Sequence, residues 1–443
     1  MGCFAGRFGR VEPRRAAGQF VTGLLADIEI KTCWQLAEQA GHARPDAMQR
    51  LLYRAVWDAD AVRDDLRQLI TARFGAPDAV LVVDDTGDLK KGIHTVGVQR
   101  QYTGTAGRIE NSQVGVFLGY AGADGHTLID RRVYLPASWT DDRDRCQAAG
   151  VPDEVEFATK PELAAQMITS ALDAGVPAGW AAADEAYGNN TDFRAGLREH
   201  EVGYVLAVSR SHLVPIDGGK TRVRADRIAA DLPATAWQRR SAGAGSKGPR
   251  FYDWAWLDDV CTDADPDDGG RTDRPALAEL LAAGAGLRGD PGLADSILIR
   301  KNTATGELAF YRCWAPRPAT LAQFVRVAGI RWTVEEAFQA AKSQVGLDQH
   351  QVRRWDSWHR FTTLALAALA VLAISAADTT DEPSDTKLIP LTVNEIRRLI
   401  NACLIRPITD LAHRLHWSGW RRRHQARARQ AHYTRRLNLE LQP

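Results

Sequence analysis

The residues in this chain best suited to chemistry are carboxylates that follow short apolar runs. Ala79-Val80-Leu81-Val82-Val83 ends in the doublet Asp84-Asp85, and Gly179 to Ala183 ends in Asp184. Continuous apolar runs of this length read as strands buried on both faces. The C-terminal ends of such strands open onto the crevice where α/β sheets bind ligands, so acids placed there can converge. A third acid comes from a helix expected over Gly329 to Lys342. At about 100° per residue, Arg331, Glu335 and Lys342 share one stripe, beside an apolar stripe of Val334, Phe338, Ala341 and Val345. Converging carboxylates suit Mg²⁺ or Mn²⁺, hard cations that take oxygen ligands. Two such ions activate a water or a 3′-hydroxyl and stabilise a departing 3′-oxygen. That is phosphodiester chemistry. Taken singly, Asp85 and Asp184 would only terminate strands and Glu335 would only pair with Arg331 on a helix surface; the metal reading rests on the three together.

The elements that must position these acids follow from the pattern around them. From Gln19 to about Phe74 apolar residues recur at three- and four-residue steps, which predicts a helical N-terminal domain. Within it, Thr32 to Ala40 ends at Gly41, and Pro45 opens a second helix through Met48, Leu51 and Leu52. This suits a DNA-reading helix-turn-helix, and equally an ordinary hairpin burying Leu36, Ala37 and Leu51. After the first strand come strands at Val114 to Tyr120 and Thr127 to Leu135, then a helix opened by Pro161 with Leu163, Met167 and Leu172 on its inner face. The strand ending at Ala183, a helix over Thr191 to His200 and a strand over Tyr204 to Val208 complete the order: three strands, helix, strand, helix, strand. Ser211 to Pro318 reads as an insertion with β pieces at Arg250 to Leu257 and Ser296 to Ala315, and its acidic loop, Asp258 to Asp268, reads as solvated. Helices resume near Leu321. Phe361 to Ala377 is too short and too rich in Ala, Ser and Thr for a spanning segment, and reads as a buried core helix.

Composition narrows the classes. With 443 residues, 45% hydrophobic and 25% charged, the chain has globular proportions. Its 56 Lys plus Arg against 55 Asp plus Glu exclude a uniformly basic coat, so polyanion binding requires segregated charge. Such segregation occurs from Trp417 to Pro443, with seven arginines, among them Arg421, Arg422 and Arg423, and one glutamate. The six cysteines form no CxxC pair, which argues against a zinc ribbon or disulfide framework and for a reducing, cytoplasmic setting. Met1 to Arg15 carries four arginines and no apolar core of a secretory signal.

The order of elements, with acids on the first strand, after the fourth strand and on a late helix, resembles the RNase H-like fold of DDE transposases. Arg331-x3-Glu335-x6-Lys342 is similar to the Tyr-x2-Arg-x3-Glu-x6-Lys signature of one branch of bacterial insertion-sequence transposases. Four stretches resemble the insertion sequence 701 group: Asp84-Asp85-Thr86-Gly87-Asp88-Leu89-Lys90-Lys91-Gly92, Val98-Gln99-Arg100-Gln101-Tyr102-Thr103-Gly104, Asp184-Glu185-Ala186-Tyr187-Gly188 and Gly346-Leu347-Asp348-Gln349-His350-Gln351-Val352-Arg353. The likeness runs from about Gln19 to Arg354 and weakens in the tail. It implies Asp85, which precedes Thr86, as first metal ligand with Asp84 as flanking acid, Asp184 as second and Glu335 as third. Arg331 and Lys342 are implied to face DNA phosphates. Ala328 stands where the signature has tyrosine, so that tyrosine's phosphate contact is missing or supplied elsewhere.

The resemblance also implies an organisation: a helical DNA-binding domain (1–77), an RNase H-like core (78–210 and 319–380), a β-rich insertion (211–318) and a helical basic C-terminal region (381–443). The insertion is implied to hold the cleaved transposon end. Its Trp237, Trp254, Trp256 and Trp314 could stack on bases or serve the core, while Lys247 and Arg250 could neutralise phosphate. The activity implied is cut-and-paste transposition: binding the element's inverted repeats, cleaving the ends with Mg²⁺ (Mn²⁺ substituting) and joining them to target DNA. Two ends require at least a homodimer on double-stranded DNA, associated with the nucleoid. Two rival readings are a catalytically silent DNA-binding descendant and a paired-carboxylate glycoside hydrolase; the second leaves the Arg331/Lys342 stripe unexplained.

Overall fold

The computed structural model describes residues 2–216, 221–245, 248–260, 295–380, 389–406, 408 and 410–440. Its strands are β1 (Val80–Leu89), β2 (Gln99–Thr103), β3 (Arg108–Ala121), β4 (His126–Val133), β5 (Trp180–Ala183), β6 (Gly203–Val208), β7 (Leu213–Ile216), β8 (Thr221–Arg224), β9 (Gln238–Gly245), β10 (Gly248–Val260), β11 (Asp295–Lys301) and β12 (Leu308–Trp314). The helices are α1 (Val11–Leu25), α2 (Cys33–Gln39), α3 (Asp46–Tyr53), α4 (Ala59–Phe74), α5 (Ala137–Thr140), α6 (Arg143–Ala149), α7 (Lys160–Asp173), α8 (Glu185–Gly188), α9 (Thr191–Glu199), α10 (Ala225–Asp231), α11 (Leu321–Ile330), α12 (Trp332–Val345), α13 (Trp355–Thr380), α14 (Val393–Cys403) and α15 (Leu411–Glu440). The chain divides into two compact units, one of Met1–Ala59, Ala341–Val352 and Arg360–Pro443, the other of Asp60–Ala340 and Arg353–His359.

The second unit is built on a ten-stranded mixed sheet of order β2-β3-β1-β5-β6-β12-β11-β10-β9, with β4 also on β3. Val80 to Val83 are wholly buried because β1 lies mid-sheet, antiparallel to β3 and parallel to β5. β5 in turn runs parallel to β6. The short strand β2 escapes the apolar-run signal because Gln99, Arg100 and Gln101 are polar; it pairs along the N-terminal half of β3. In α7 the buried face is Ala164, Met167, Ile168 and Ala171, so Leu163 and Leu172, expected inside, are only half-buried at its flanks.

The insertion expected over 211–318 is not set apart in a sheet of its own. β12 pairs antiparallel with β6, so β12 to β9 extend the same sheet, and only the β7-β8 hairpin is separate. That hairpin and α10 cover the extension through Val214, Ile216, Ala225 and Ile228 against Ala255, Ile297, Ile299 and Phe310. The acidic loop beyond Val260 and Lys247 lie outside the described residues. Most of α13 lies in the unit that holds the N-terminal helices, where Phe361 meets Phe20 edge-on at 6.0 Å. α13 is long and apolar enough to cross a membrane, and most of it is buried within the structure.

His359, at the end of the second unit's last segment, is buried with Nδ1 3.0 Å from the Trp355 carbonyl. Burial, reinforced by Arg131 and Arg132 against the opposing charge of Asp60, pushes its imidazole down to about 3. The ring is therefore neutral in the fold and takes a proton at about 6.5 once unfolded. Its contribution is complete above that value and is lost as pH falls from about 6.5 toward 3. Urea midpoints should decline through that window, and His359→Gln should flatten the decline; parallel profiles for the two proteins would remove His359 as the cause.

Candidate active site

The register of β1 on β5 brings two acids level. Val83 pairs with Ala183, so Asp84 and Asp184 are the next residues on neighbouring parallel strands, about 5 Å apart along the hydrogen-bonding direction. Asp85 points to the other side of the pleat. Asp184 caps α8 by accepting the Ala186 N–H at 2.9 Å. The turn of α8 lies close on β6 because residue 188 is glycine: a Cβ there would stand 1.9 Å from the Ala207 carbonyl oxygen.

Glu335 reaches this strand end through an arginine. The helix expected without interruption from Gly329 is broken at Arg331, which ends α11, while Glu335 lies in the first turn of α12. Arg331 Nη2 lies 3.1 Å from Glu335 Oε1 and its Nη1 3.4 Å from Asp84 Oδ2. α11 is held on the sheet by Phe324, packed against Trp180 and Trp256. The apolar stripe of α12 is buried at Val334, Phe338, Ala341 and Val345, as its spacing predicts. Glu336 turns away toward His126, 3.6 Å from its Nε2. Lys342 is half-buried further along α12, in the unit that holds the chain termini.

Asp85 has partners that spacing did not reveal. Lys160 Nζ lies 2.9 Å from its Oδ2, and the Tyr187 hydroxyl donates to its Oδ1 at 3.3 Å. Lys160 is placed by the capping box of α7, in which Thr159 and Glu162 satisfy each other's backbone N–H groups. Tyr187 is wholly buried, and burial with the three neighbouring aspartates raises its hydroxyl far above the ordinary range. Tyr187 had a signal in the Asp184-Glu185-Ala186-Tyr187 stretch; Lys160 had none beyond preceding Pro161.

The charge balance of the site is negative. Burial, then the charge of Asp184, pushes the Asp84 carboxyl up to about 7 despite Arg331. Burial also raises Asp184, with Asp85 adding to it and the Ala186 N–H and Arg331 working against it. Partly buried oxygens that raise one another are the donor set a hard divalent cation relieves. The acids at this strand end, Asp84, Asp85, Asp184 and Glu335, are thus of the donor type such an ion takes, with Asp84 rather than Asp85 level with Asp184. Lys160 lies on Asp85 and Arg331 on Asp84 and Glu335, and among the described residues no three metal-binding side chains gather about one point.

The insertion's candidates fall elsewhere. Arg250 donates from Nη2 to the carbonyls of Ala242, at 2.9 Å, and Gly329, at 3.1 Å. It ties β9 to the end of α11 rather than facing a phosphate. Trp254 and Trp256 are buried, Trp314 stacks on Tyr204 at 6.1 Å and Trp237 lies under Lys301, so these indoles serve packing. An open indole next to Arg331 in the chain is Trp332, 51% exposed. In the tail, Arg421 pairs with Glu38, whereas Arg422 and Arg423 are exposed.

A strand-end acid pair, a helix glutamate and a basic residue four positions before it are the parts of a DDE endonuclease. Residues 3–228 match the family described as DDE superfamily endonuclease and residues 161–373 match the transposase DDE domain. The chain belongs to the DDE superfamily of endonucleases. Within that superfamily it is similar to a transposase of the insertion sequence 701 type, being 31% identical over 196 residues to the probable transposase for insertion sequence element IS701 of Microchaete diplosiphon. That alignment covers 44% of this chain and 48% of that relative. In three dimensions the chain resembles the piggyBac transposase in its synaptic complex with hairpin DNA, at a TM-score of 0.44 and 11% identity over 94% of this chain and 77% of that one.

Proposed function

We propose that this chain is a transposase that binds the terminal inverted repeats of its own element, cleaves the DNA ends and joins them to target DNA. The observation that carries the reading is the register of β1 on β5, which sets Asp84 level with Asp184 and leaves Asp85 and the Arg331-bound Glu335 at the same strand end. The core order β4-β3-β1-β5-β6, with β1, β5 and β6 parallel, supports an RNase H-like assignment. Asp85, Asp184 and Glu335 would hold Mg²⁺ or Mn²⁺, which when bound supplies Lewis-acid stabilisation of charge on the phosphate oxygens. Tyr187 fixes the rotamer of Asp85 by donating to it. Arg331 holds the Glu335 carboxylate toward the strand ends and keeps a guanidinium beside the place a scissile phosphate would take. Trp332 offers an open ring to the flanking nucleotide. Two ends call for two copies acting together on chromosomal DNA.

Incubation of the full chain with a duplex carrying the repeats that flank its gene should give nicks at the repeat ends, dependent on Mg²⁺ or Mn²⁺ and abolished by chelation. Binding without cleavage under those conditions would defeat the enzymatic reading. It would favour a silent DNA-binding descendant.

A further inference from the structure

The basic tail is not a free arm. The first turns of α15 are fastened to the α2–turn–α3 hairpin of the same unit, whose tight turn uses Gly41 at φ +78°. Trp417 is wholly buried and donates its indole N–H to the His42 carbonyl at 2.8 Å. His416 Nε2 lies 2.9 Å from the Ala43 carbonyl, and Arg421 pairs with Glu38. Trp420 meets Trp34 edge-on at 4.8 Å and His424 at 4.3 Å.

Beyond these contacts the inward stripe of α15 changes character. Trp420, Arg423 and Arg427 follow one another at steps of three and four, so they share one face. There that face and the hairpin together line a cleft of about 440 Å³, with Trp34, Arg44 and Gln49 from the hairpin and Arg423 and Arg427 from α15. Asp46 is the single acid lining it. Three guanidiniums around one carboxylate repel one another unless an anion joins them. The helix continues past the cleft with Arg429, Arg435 and Arg436 and no acid between Leu411 and Leu439, so the cationic surface is elongated rather than a point site.

We infer that α2, α3 and α15 form one clamp for the backbone of duplex DNA, with successive phosphates of one strand seated between Arg44 and the Arg423/Arg427 face. Gln49, exposed on α3 beside the cleft, then faces the groove edge. The clamp deepens the reading of the chain as a DNA-binding transposase and rests on it for the identity of the polyanion. It does not depend on the carboxylate site.

The test is a salt titration of binding by the full chain to a fluorescent random-sequence duplex, with substitutions chosen to spare buried Trp417. Each phosphate contact contributes roughly 0.9 to the slope of log affinity against log salt. The triple variant Arg44→Gln, Arg423→Gln, Arg427→Gln should flatten the slope by about 2 to 3 with an unchanged melting temperature. Arg108→Gln, at a 75% exposed arginine of the other unit, should leave it unaltered. An unchanged slope in the folded triple variant would overturn the clamp even where the wild type nicks repeat DNA. A flattened slope would sustain it even where no nicking occurs, which separates its failure from that of the transposase reading. Loss confined to single-stranded probes would also overturn it.

Discussion

Asp85→Asn, Asp184→Asn and Glu335→Gln are each expected to reduce strand cleavage by more than about 100-fold while duplex binding stays nearly unchanged. Loss of even a supporting partner around a metal typically costs about 10- to 100-fold, and a ligand should cost more. The amides keep size and hydrogen-bonding shape but lose the charge that holds the cation. Glu336→Gln is the matched control: it lies about 100° around α12 from Glu335, half-exposed toward His126, and should cleave at close to the wild-type rate. Asp84→Asn is the informative fifth variant. Asp84 is level with Asp184 and contacts Arg331, whereas Asp85 contacts Lys160 and Tyr187. With Asp85 as the ligand, Asp84→Asn acts through a loosened Arg331 and should cost about 10-fold, as for a supporting partner. The opposite ranking would make Asp84 the ligand and Asp85 the flanking acid.

What was legible in the sequence is what local pattern controls. The apolar runs before Asp84 and Asp184 identify central strands, because residues buried on both faces need no alternation. The stripe of α12 follows from its spacing alone. Register is different: Val83 opposite Ala183 depends on how two distant segments pair, and that pairing sets which member of the Asp84-Asp85 doublet lies level with Asp184. Side chains that act through backbone were misread for a related reason. Arg250 beside glycines resembles a phosphate ligand, yet it satisfies carbonyls of β9 and α11. Trp417 at the head of the basic tail could pack or stack on bases, and its indole is the fastening of α15 to the hairpin. In each case the partner is a carbonyl, which every residue carries, so no side-chain pattern announces it.

Charge pairing inside the fold was the least legible feature, and it carries the largest expected effect on stability. Asp130 on β4 is wholly buried, ion-paired with Arg63 and, at 3.0 Å, with Arg67, two residues four apart on α4; it also accepts the Arg131 N–H at 2.7 Å. In the sequence these arginines stand among Asp60, Asp64 and Asp65, and no spacing there points to Asp130, more than sixty residues away. In the fold Arg63 and Arg67 are 5% and 2% exposed, so Asp130 is the carboxylate that makes their burial tolerable. Asp130→Ala removes the one wholly buried carboxylate that the two guanidiniums share, and removing one partner of a buried ion-paired set costs about 3–5 kcal/mol. Asp64→Ala also removes a carboxylate from Arg63, at 2.7 Å, but Asp64 is 47% exposed and water replaces it. Its cost should stay within about 1 kcal/mol. Urea unfolding followed by tryptophan fluorescence distinguishes the two. Comparable small losses for both would show that Arg63 and Arg67 find water or another acid when Asp130 is gone, and that Asp130 is not what holds β4 to α4.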